Sequence, residues 1–470
     1  MRPSPTAVWL AVAVTPALLA ARHAGALAQD PGAGLDNIRA GMPTAGLENI
    51  RVGGLVGEDP KISADVTPAD AAAGEAAITP AAATEAALPE AAATEAAPPV
   101  EAATDTWLQD AYHYPAWRDG KHDALYTEWW YFNLHDPRAG VDAIFSYFVT
   151  NPDDIVGQGM VQMVAVAYTA EGAVSAIDRY PATEFEARAV GGGGEARDSG
   201  QVGPASDPGE SGANVRIGDN RAWREQDGTY RVSGQSRNGR LAWELRYEAD
   251  GTPWFGAERM GVGRMAWERM SWLVQMPRAR VSGRMRIDGR EVEVRGTGYH
   301  DHNWGEWIPA DATWNWAQFS SARVALEVGD FIGKPVGVVA LDLDGARTVF
   351  TPDQYSLVHT RWGWDRVNRL FFPTESLLTA DNGALRLEVT LRALATEPLR
   401  GDLPRPLRDL IIYEQTARYE GRVWEWVGVE GMGGASAGGA SVDGTESAGE
   451  WRLSALVRGM GFKEWTGKKF

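Results

Sequence analysis

The chain has no cysteine. Disulfides, thiolate metal sites and a cysteine nucleophile are therefore excluded, and packing with backbone hydrogen bonds must hold the fold. Histidine is scarce: there are seven in 470 residues, and none between His135 and His300. Beyond the N-terminus no stretch approaches the roughly 18 consecutive apolar residues of a membrane-spanning helix. A phosphate-cradling Gly-rich loop ahead of a helix and a His-Glu-x-x-His are both missing, which counts against nucleotide users and zinc proteases. Positive charge is short as well. The formal net charge is −18, which argues against a nucleic-acid partner, because phosphate neutralisation needs clustered Lys and Arg.

The acids are unevenly placed. Residues 29–104 hold 12 acids and 3 bases, so about half of the excess lies there. That segment contains no aromatic residue and is built from Ala/Glu/Pro/Thr units, with a near-repeat at 35–39 and 47–51. It cannot bury enough surface to offset the entropy of ordering, and is predicted to be a disordered spacer. Ahead of it, Arg2, the apolar run 7–20 and Ala26-Leu27-Ala28 have the pattern of a secretory signal over 1–28. The chain is accordingly expected to be exported, secreted or periplasmic, with an organelle lumen as the alternative.

From residue 105 onward the composition changes. The chain's 20 Trp, 13 Tyr and 12 Phe, with 54 Gly, point to an aromatic-lined β protein. Residues 127–133, 143–150 and 160–169 are rich in aromatic and β-branched residues and read as strands. Leu241, Trp243, Leu245 and Tyr247 alternate with smaller or charged residues, as do Leu385, Leu387, Val389 and Leu391, the period of half-buried strands. Asp288-Gly289 and Asp344-Gly345 are hairpin turns between further strands. Residues 423–429 and 451–460 are expected to close the last sheet. The Gly-rich stretches 191–214 and 431–450 are expected to be loops, and 405–412 a short helix. Many short strands with few helices predict an all-β architecture. Two lipocalin-like antiparallel β-barrel or sandwich domains in tandem, 105–308 and 309–470, fit the length, with the join near 307–312.

Chemistry concentrates at Gly298-Tyr-His-Asp-His-Asn-Trp-Gly-Glu-Trp307. If this stretch is extended, Tyr299, Asp301 and Asn303 share one face and His300 and His302 the other. As a metal site, His300-x-His302 followed by Glu306 has cupin-like spacing, but a third clear ligand is missing, and no metal is expected. As an acid/base site, a carboxyl in an aromatic pocket has its pKa raised by desolvation and can hold a proton near neutral pH. Asp301 beside Tyr299, with Trp272 or Trp304 as a wall, suits protonation of a double bond, since aromatic faces stabilise the resulting cation. The plainer alternative is that these residues cap a turn and fill the domain junction.

A second cluster is Glu128-Trp-Trp-Tyr-Phe132. Alternation puts Glu128 and Trp130 on one face, Trp129 and Tyr131 on the other. A carboxylate among tryptophans needs a partner, an Arg or a His of the first cluster. Trp314, Trp316, Trp362 and Trp364 form two Trp-x-Trp pairs expected in the core.

These two clusters, in this order, resemble the carotenoid 1,2-hydratase (hydroxyneurosporene synthase) superfamily, which includes AttH-like lipocalin-domain proteins and fungal Diels–Alderase-type cyclases. The resemblance implies paired lipocalin-like barrels around an apolar ligand site near their interface. It implies a general acid at Asp301, supported by Tyr299. Trp272 corresponds to a Trp of the family pattern, whereas the His on the same strand is not found here. The expected activity is acid/base chemistry without a cofactor on a hydrophobic isoprenoid- or polyketide-like substrate. His300 or His302 would orient Asp301, and Trp272, Trp304, Glu128, Trp130 and Asn303 would bind substrate. A non-catalytic lipid or pigment carrier is the alternative. Transient contact with a membrane surface is a further expectation.

Overall fold

The computed structural model describes residues 109–189, 213–308, 312–400, 410–428 and 449–468. The expected signal segment, the Ala-rich spacer and most of both Gly-rich stretches lie outside the described residues. After a four-residue helix α1 (Tyr114–Trp117), the first run comprises β1 (Tyr126–Asp136), β2 (Val141–Thr150), β3 (Met160–Thr169), β4 (Gly172–Tyr180), β5 (Phe185–Ala187) and β6 (Asn214–Ile217). It continues through β7 (Asn220–Arg224), β8 (Tyr230–Gln235), β9 (Leu241–Ala249) and β10 (Trp254–Gly261) to two long strands, β11 (Arg269–Ile287) and β12 (Arg290–Glu306). They form one twelve-stranded sheet in the order β4-β3-β2-β1-β12-β11-β9-β8-β7-β6-β5, with β10 on β11.

A second sheet of nine strands follows. It is built from β13 (Trp314–Ser320), β14 (Val324–Phe331), β15 (Gly337–Leu343), β16 (Ala346–Phe350), β17 (Tyr355–Asp365), β18 (Leu370–Asp381), β19 (Leu385–Arg400), β20 (Leu410–Gly428) and β21 (Gly449–Lys468). Its order is β16-β15-β14-β13-β21-β20-β19-β18-β17. The all-β reading with two antiparallel sheets is the architecture observed. Both Asp-Gly turns are present, with φ of 48° and 82° at Asp288 and Gly289 and 52° and 86° at Asp344 and Gly345. These paired left-handed residues match the twist of the flanking strands.

Two expectations are corrected. Residues 410–412 open β20 in extended conformation, so the helix read at 405–412 does not reach them; 401–409 lie outside the described residues. Trp362 and Trp364 are 49% and 47% exposed rather than core, because β17 is the outer strand of its sheet.

Each sheet has its own apolar core. The first packs Trp130, Phe132, Phe145, Tyr247 and Val281, and the second Phe319, Leu326, Leu341, Val389 and Tyr419. A third cluster joins them: Tyr131, Ile144, Trp272 and Tyr299 from the first sheet meet Trp316, Leu399 and Phe462 from the second. Polar ties reinforce it. The Tyr168 hydroxyl donates to the Glu414 carbonyl at 2.9 Å, Asn133 Nδ2 donates to Gln318 Oε1 at 3.2 Å, and Arg278 Nη1 donates to the Ser321 carbonyl at 2.6 Å. Successive residues of β1 and β12 thus belong alternately to the first core and to the junction.

Candidate active site

The two clusters of the sequence are neighbours in space. β1 and β12 pair antiparallel with Glu128 opposite Trp304, Trp130 opposite His302, Tyr131 opposite Asp301 and Phe132 opposite His300. On β12's other side, β11 sets Trp272 opposite Asn303 and Val274 opposite Asp301. Gly305 permits this close pairing: its φ is +154°, and a Cβ there would lie 2.1 Å from the Arg269 carbonyl oxygen.

The face of β12 turned into the first core carries His300 and His302, both fully buried. The His302 ring lies between two carboxylates, with Nε2 2.9 Å from Glu128 Oε1 and Nδ1 3.3 Å from Asp110 Oδ1. His300 uses Nδ1 on the Tyr131 carbonyl at 2.9 Å and Nε2 on Asp110 Oδ2 at 3.1 Å. Glu128 also accepts from the Tyr126 hydroxyl at 2.6 Å and from the His113 backbone N–H at 2.9 Å. Burial alone would raise the Asp110 carboxyl, but His300 and His302 bring it below the usual carboxylate range. Glu128 follows the same course, with His113 and His302 outweighing burial. His302 is correspondingly raised against its own burial by Asp110 and Glu128, whereas burial leaves the His113 imidazole lowered. Aromatic rings seal the network. Phe132 stacks on His300 at 3.9 Å, Trp130 on His302 at 4.4 Å and Trp304 on His113 at 3.7 Å.

The opposite face looks onto a cavity of about 60 Å³ between the two sheets. Asp301 is buried on its wall. Its Oδ2 accepts from Trp272 Nε1 and from the Tyr299 hydroxyl, each at 2.8 Å, and its Oδ1 from Asn303 Nδ2 at 3.0 Å. Burial pushes this carboxyl up, the Tyr299 and Trp272 donors pull part of the way back, and it comes to about 7. Trp129, Tyr131, Trp307, Trp314 and Trp316 supply aromatic walls. The Trp272 ring fits because Gly256 and Gly329 have no side chain: a Cβ at either would come within 2.2 or 2.7 Å of it.

A second carboxyl lines the same cavity. Glu464 on β21 accepts from Trp314 Nε1 at 3.0 Å and stands directly opposite Glu414 on β20. Burial pushes both carboxyls up, and each bears on the other. Two buried carboxyls at paired positions cannot both ionise readily, so they share a proton.

The predicted residues therefore divide between two places. Asp301, Asn303 and Trp272 meet at the cavity, and Tyr299 reaches it only through its bond to Asp301. His300, His302, Glu128, Trp130 and Trp304 lie on the other face of β1 and β12, where none of them lines it. Neither histidine orients Asp301, because both imidazoles are taken by Asp110, Glu128 and a backbone carbonyl. Trp304 is not a wall for Asp301, because it stacks on His113. Trp314 and Trp316, expected in the core, line the cavity. Asp110, His113, Glu414 and Glu464 were not legible. The first two precede β1 without periodicity, and the last two pair only through strand register. For a metal, His113, Glu128 and His302 offer donor atoms within 4.8 Å of one another, as do Asp119, His122 and Glu306. His300 belongs to neither group, and His302 and Glu306 fall in different ones, so the set His300, His302 and Glu306 is not brought together.

With this geometry in place, the fold can be set beside known structures. It is that of an AttH-type protein from Nitrosomonas europaea, which aligns with a TM-score of 0.53 at 17% identity, over 77% of this chain and 96% of that one. Kievitone hydratase from Nectria haematococca aligns with a TM-score of 0.46 at 13% identity, over 72% and 87%. CghA gives 0.45 at 14% identity, over 73% and 89%. No protein-family model matches the chain, and no curated protein matches it in sequence. The AttH likeness read from the two clusters thus holds for the fold.

Proposed function

We propose that the chain is an enzyme that protonates a carbon–carbon double bond of a hydrophobic isoprenoid- or polyketide-like substrate, with Asp301 as general acid. The observation that carries this reading is the Asp301 carboxyl itself, a proton carrier brought to about 7 on the wall of a buried aromatic cavity. An acid poised near the working pH balances proton retention against proton release. The Trp272 and Tyr299 donors already point at Oδ2, so the carboxylate left after transfer needs no reorganisation to be stabilised. In the step, the π pair takes the Asp301 proton to form a C–H bond, and the neighbouring carbon becomes cationic. The faces of Trp129, Trp314 and Trp316 would stabilise that charge. Glu464 would then accept the proton lost when water adds or when an adjacent C–H breaks. The net result is hydration, isomerisation or cyclisation with no redox change. A cavity of about 60 Å³ holds a few water-sized groups, the size of an alkene terminus.

The aromatic lining also favours a second reading, a non-catalytic carrier of a lipid or pigment. One experiment separates them. Small molecules are extracted from Asp301→Asn protein, identified by mass spectrometry and incubated with wild-type protein. The enzyme reading expects conversion, as a gain of one water or an isomer of changed retention. Return of the molecule unchanged by fresh wild type supports the carrier and overturns the enzyme. We also propose that the protein is exported, on the pattern of residues 1–28.

A further inference from the structure

The end of the second sheet farthest along β17 and β18 carries an unusual surface. Trp362 and Trp364 project from one face of β17, and Phe371, directly opposite Trp364 on β18, packs against it at 4.7 Å. In the turn between the strands Val367 is 76% exposed, and Phe371 is 59% exposed. Four large apolar side chains are thus exposed along one hairpin, where solvent exposure is costly. The same tip is basic. Arg361, Arg366 and Arg369 are exposed, and among the described residues neither Arg366 nor Arg369 is in an ion pair. The acid of the turn, Asp365, is occupied by the Val367 and Asn368 backbone N–H groups and by the Tyr413 hydroxyl. Arg361 alone reaches a carboxylate, Glu375, at 3.4 Å.

We propose that this hairpin docks the protein on an anionic phospholipid surface. Indole rings favour the headgroup level of a bilayer, where an amphipathic ring is half dry and half wet, and the Phe371 phenyl beside them adds apolar area. Arginines beside them attract anionic headgroups, each worth about fivefold in binding. A self-association face would be expected to answer its own arginines with exposed acids. Among the described residues, the acids that this end of the hairpin carries, Asp365 and Glu375, are both already bonded within it. The docking is independent of the chemistry assigned to Asp301. It would bring a protein with an apolar ligand cavity to the phase in which hydrophobic molecules dissolve.

The test is sedimentation of the full chain with vesicles of equal parts phosphatidylcholine and phosphatidylglycerol, against vesicles of phosphatidylcholine alone. The expected result is binding to the mixed vesicles, weakened by salt. It falls at least tenfold in the double variant Trp362→Ser/Trp364→Ser and in Arg366→Glu/Arg369→Glu. Thermal unfolding of the charge-reversal variant checks that the fold is kept. Wild type that ignores the mixed vesicles overturns the proposal, as does undiminished binding by folded Arg366→Glu/Arg369→Glu. A wild-type dimer in gel filtration that the tryptophan variant dissolves would assign the face to a second copy instead.

Discussion

On one face of β12, carboxyl groups and imidazoles lie within hydrogen-bond reach of each other, and Asp110 and Glu128 are held as carboxylates although neither touches solvent. On the other face, Asp301 is just as buried but meets only neutral donors, and its carboxyl rises to about 7. The two faces of β12 thus meet acids in different states, carboxylates from Asp110 and from Glu128 of β1 beside His300 and His302, and the raised Asp301 carboxyl on the other side. Burial is common to both faces, so the difference lies in whether a cation is supplied. A buried carboxylate with an imidazolium partner is a structural element, whereas one given only an indole N–H, a phenol and an amide becomes a proton donor.

The largest expected effect comes from removing the cation. His302→Ala leaves Asp110 and Glu128 buried without their shared imidazolium, and should cost about 3–5 kcal/mol in denaturant unfolding. The acids of the two faces should also have pH dependences of opposite sign. Asp110 and Glu128 are lowered, so their stabilisation is present above the ordinary carboxylate range and is lost as pH falls toward their folded values. His302 is raised, so its share is present below its ordinary value and is lost as pH rises through the folded one. Asp301 is raised from 3.8 to about 7. Its penalty is absent below about pH 4 and grows as pH climbs to about 7. Asp301→Asn should therefore stabilise the protein by about 2–4 kcal/mol above about pH 8 and change little in acid, while abolishing turnover. Thermal melts across that range read the sign, and a destabilised variant at high pH would break the comparison.

Smaller effects sharpen it. Gly329→Ala would press on the Trp272 ring and should cost about 1–3 kcal/mol. Loss of the indole bond to Asp301 would then appear as a change in tryptophan fluorescence. Trp314→Phe removes one donor to Glu464 and should cost about 0.5–1.5 kcal/mol. Infrared titration of the carboxyl C=O stretch should then show the proton of the Glu414–Glu464 pair retained to higher pH.

Much of this division was legible in the chain. Period-two alternation alone separates Tyr299, Asp301 and Asn303 from His300 and His302. A carboxylate at Glu128 among tryptophans demands a partner, which is His302. Alternation within one strand says nothing about its neighbours, however. That Trp304 stacks on His113, or that the histidines bond Asp110, depends on a segment ahead of β1 with no regular pattern. The position of Glu464 across from Asp301 depends on how the second sheet packs on the first. The Trp-x-Trp pairs show the same limit. Trp314 and Trp316 line the cavity and Trp362 and Trp364 face outward, because one pair lies on a central strand and the other on an outer one.

The pairing of β1 with β12 has a kinetic consequence. The bond from the His300 ring to the Tyr131 carbonyl spans 169 residues, and that whole stretch must be gathered before the two strands meet. Closing so long a loop is entropically costly, and topologies dominated by such distant pairings fold slowly. Local meanders such as β1 to β4 can form early, but the Asp301 pocket exists only after this late seam has closed. In a refolding experiment, native strand content should return ahead of ligand binding, with the lag measuring the time needed to close it.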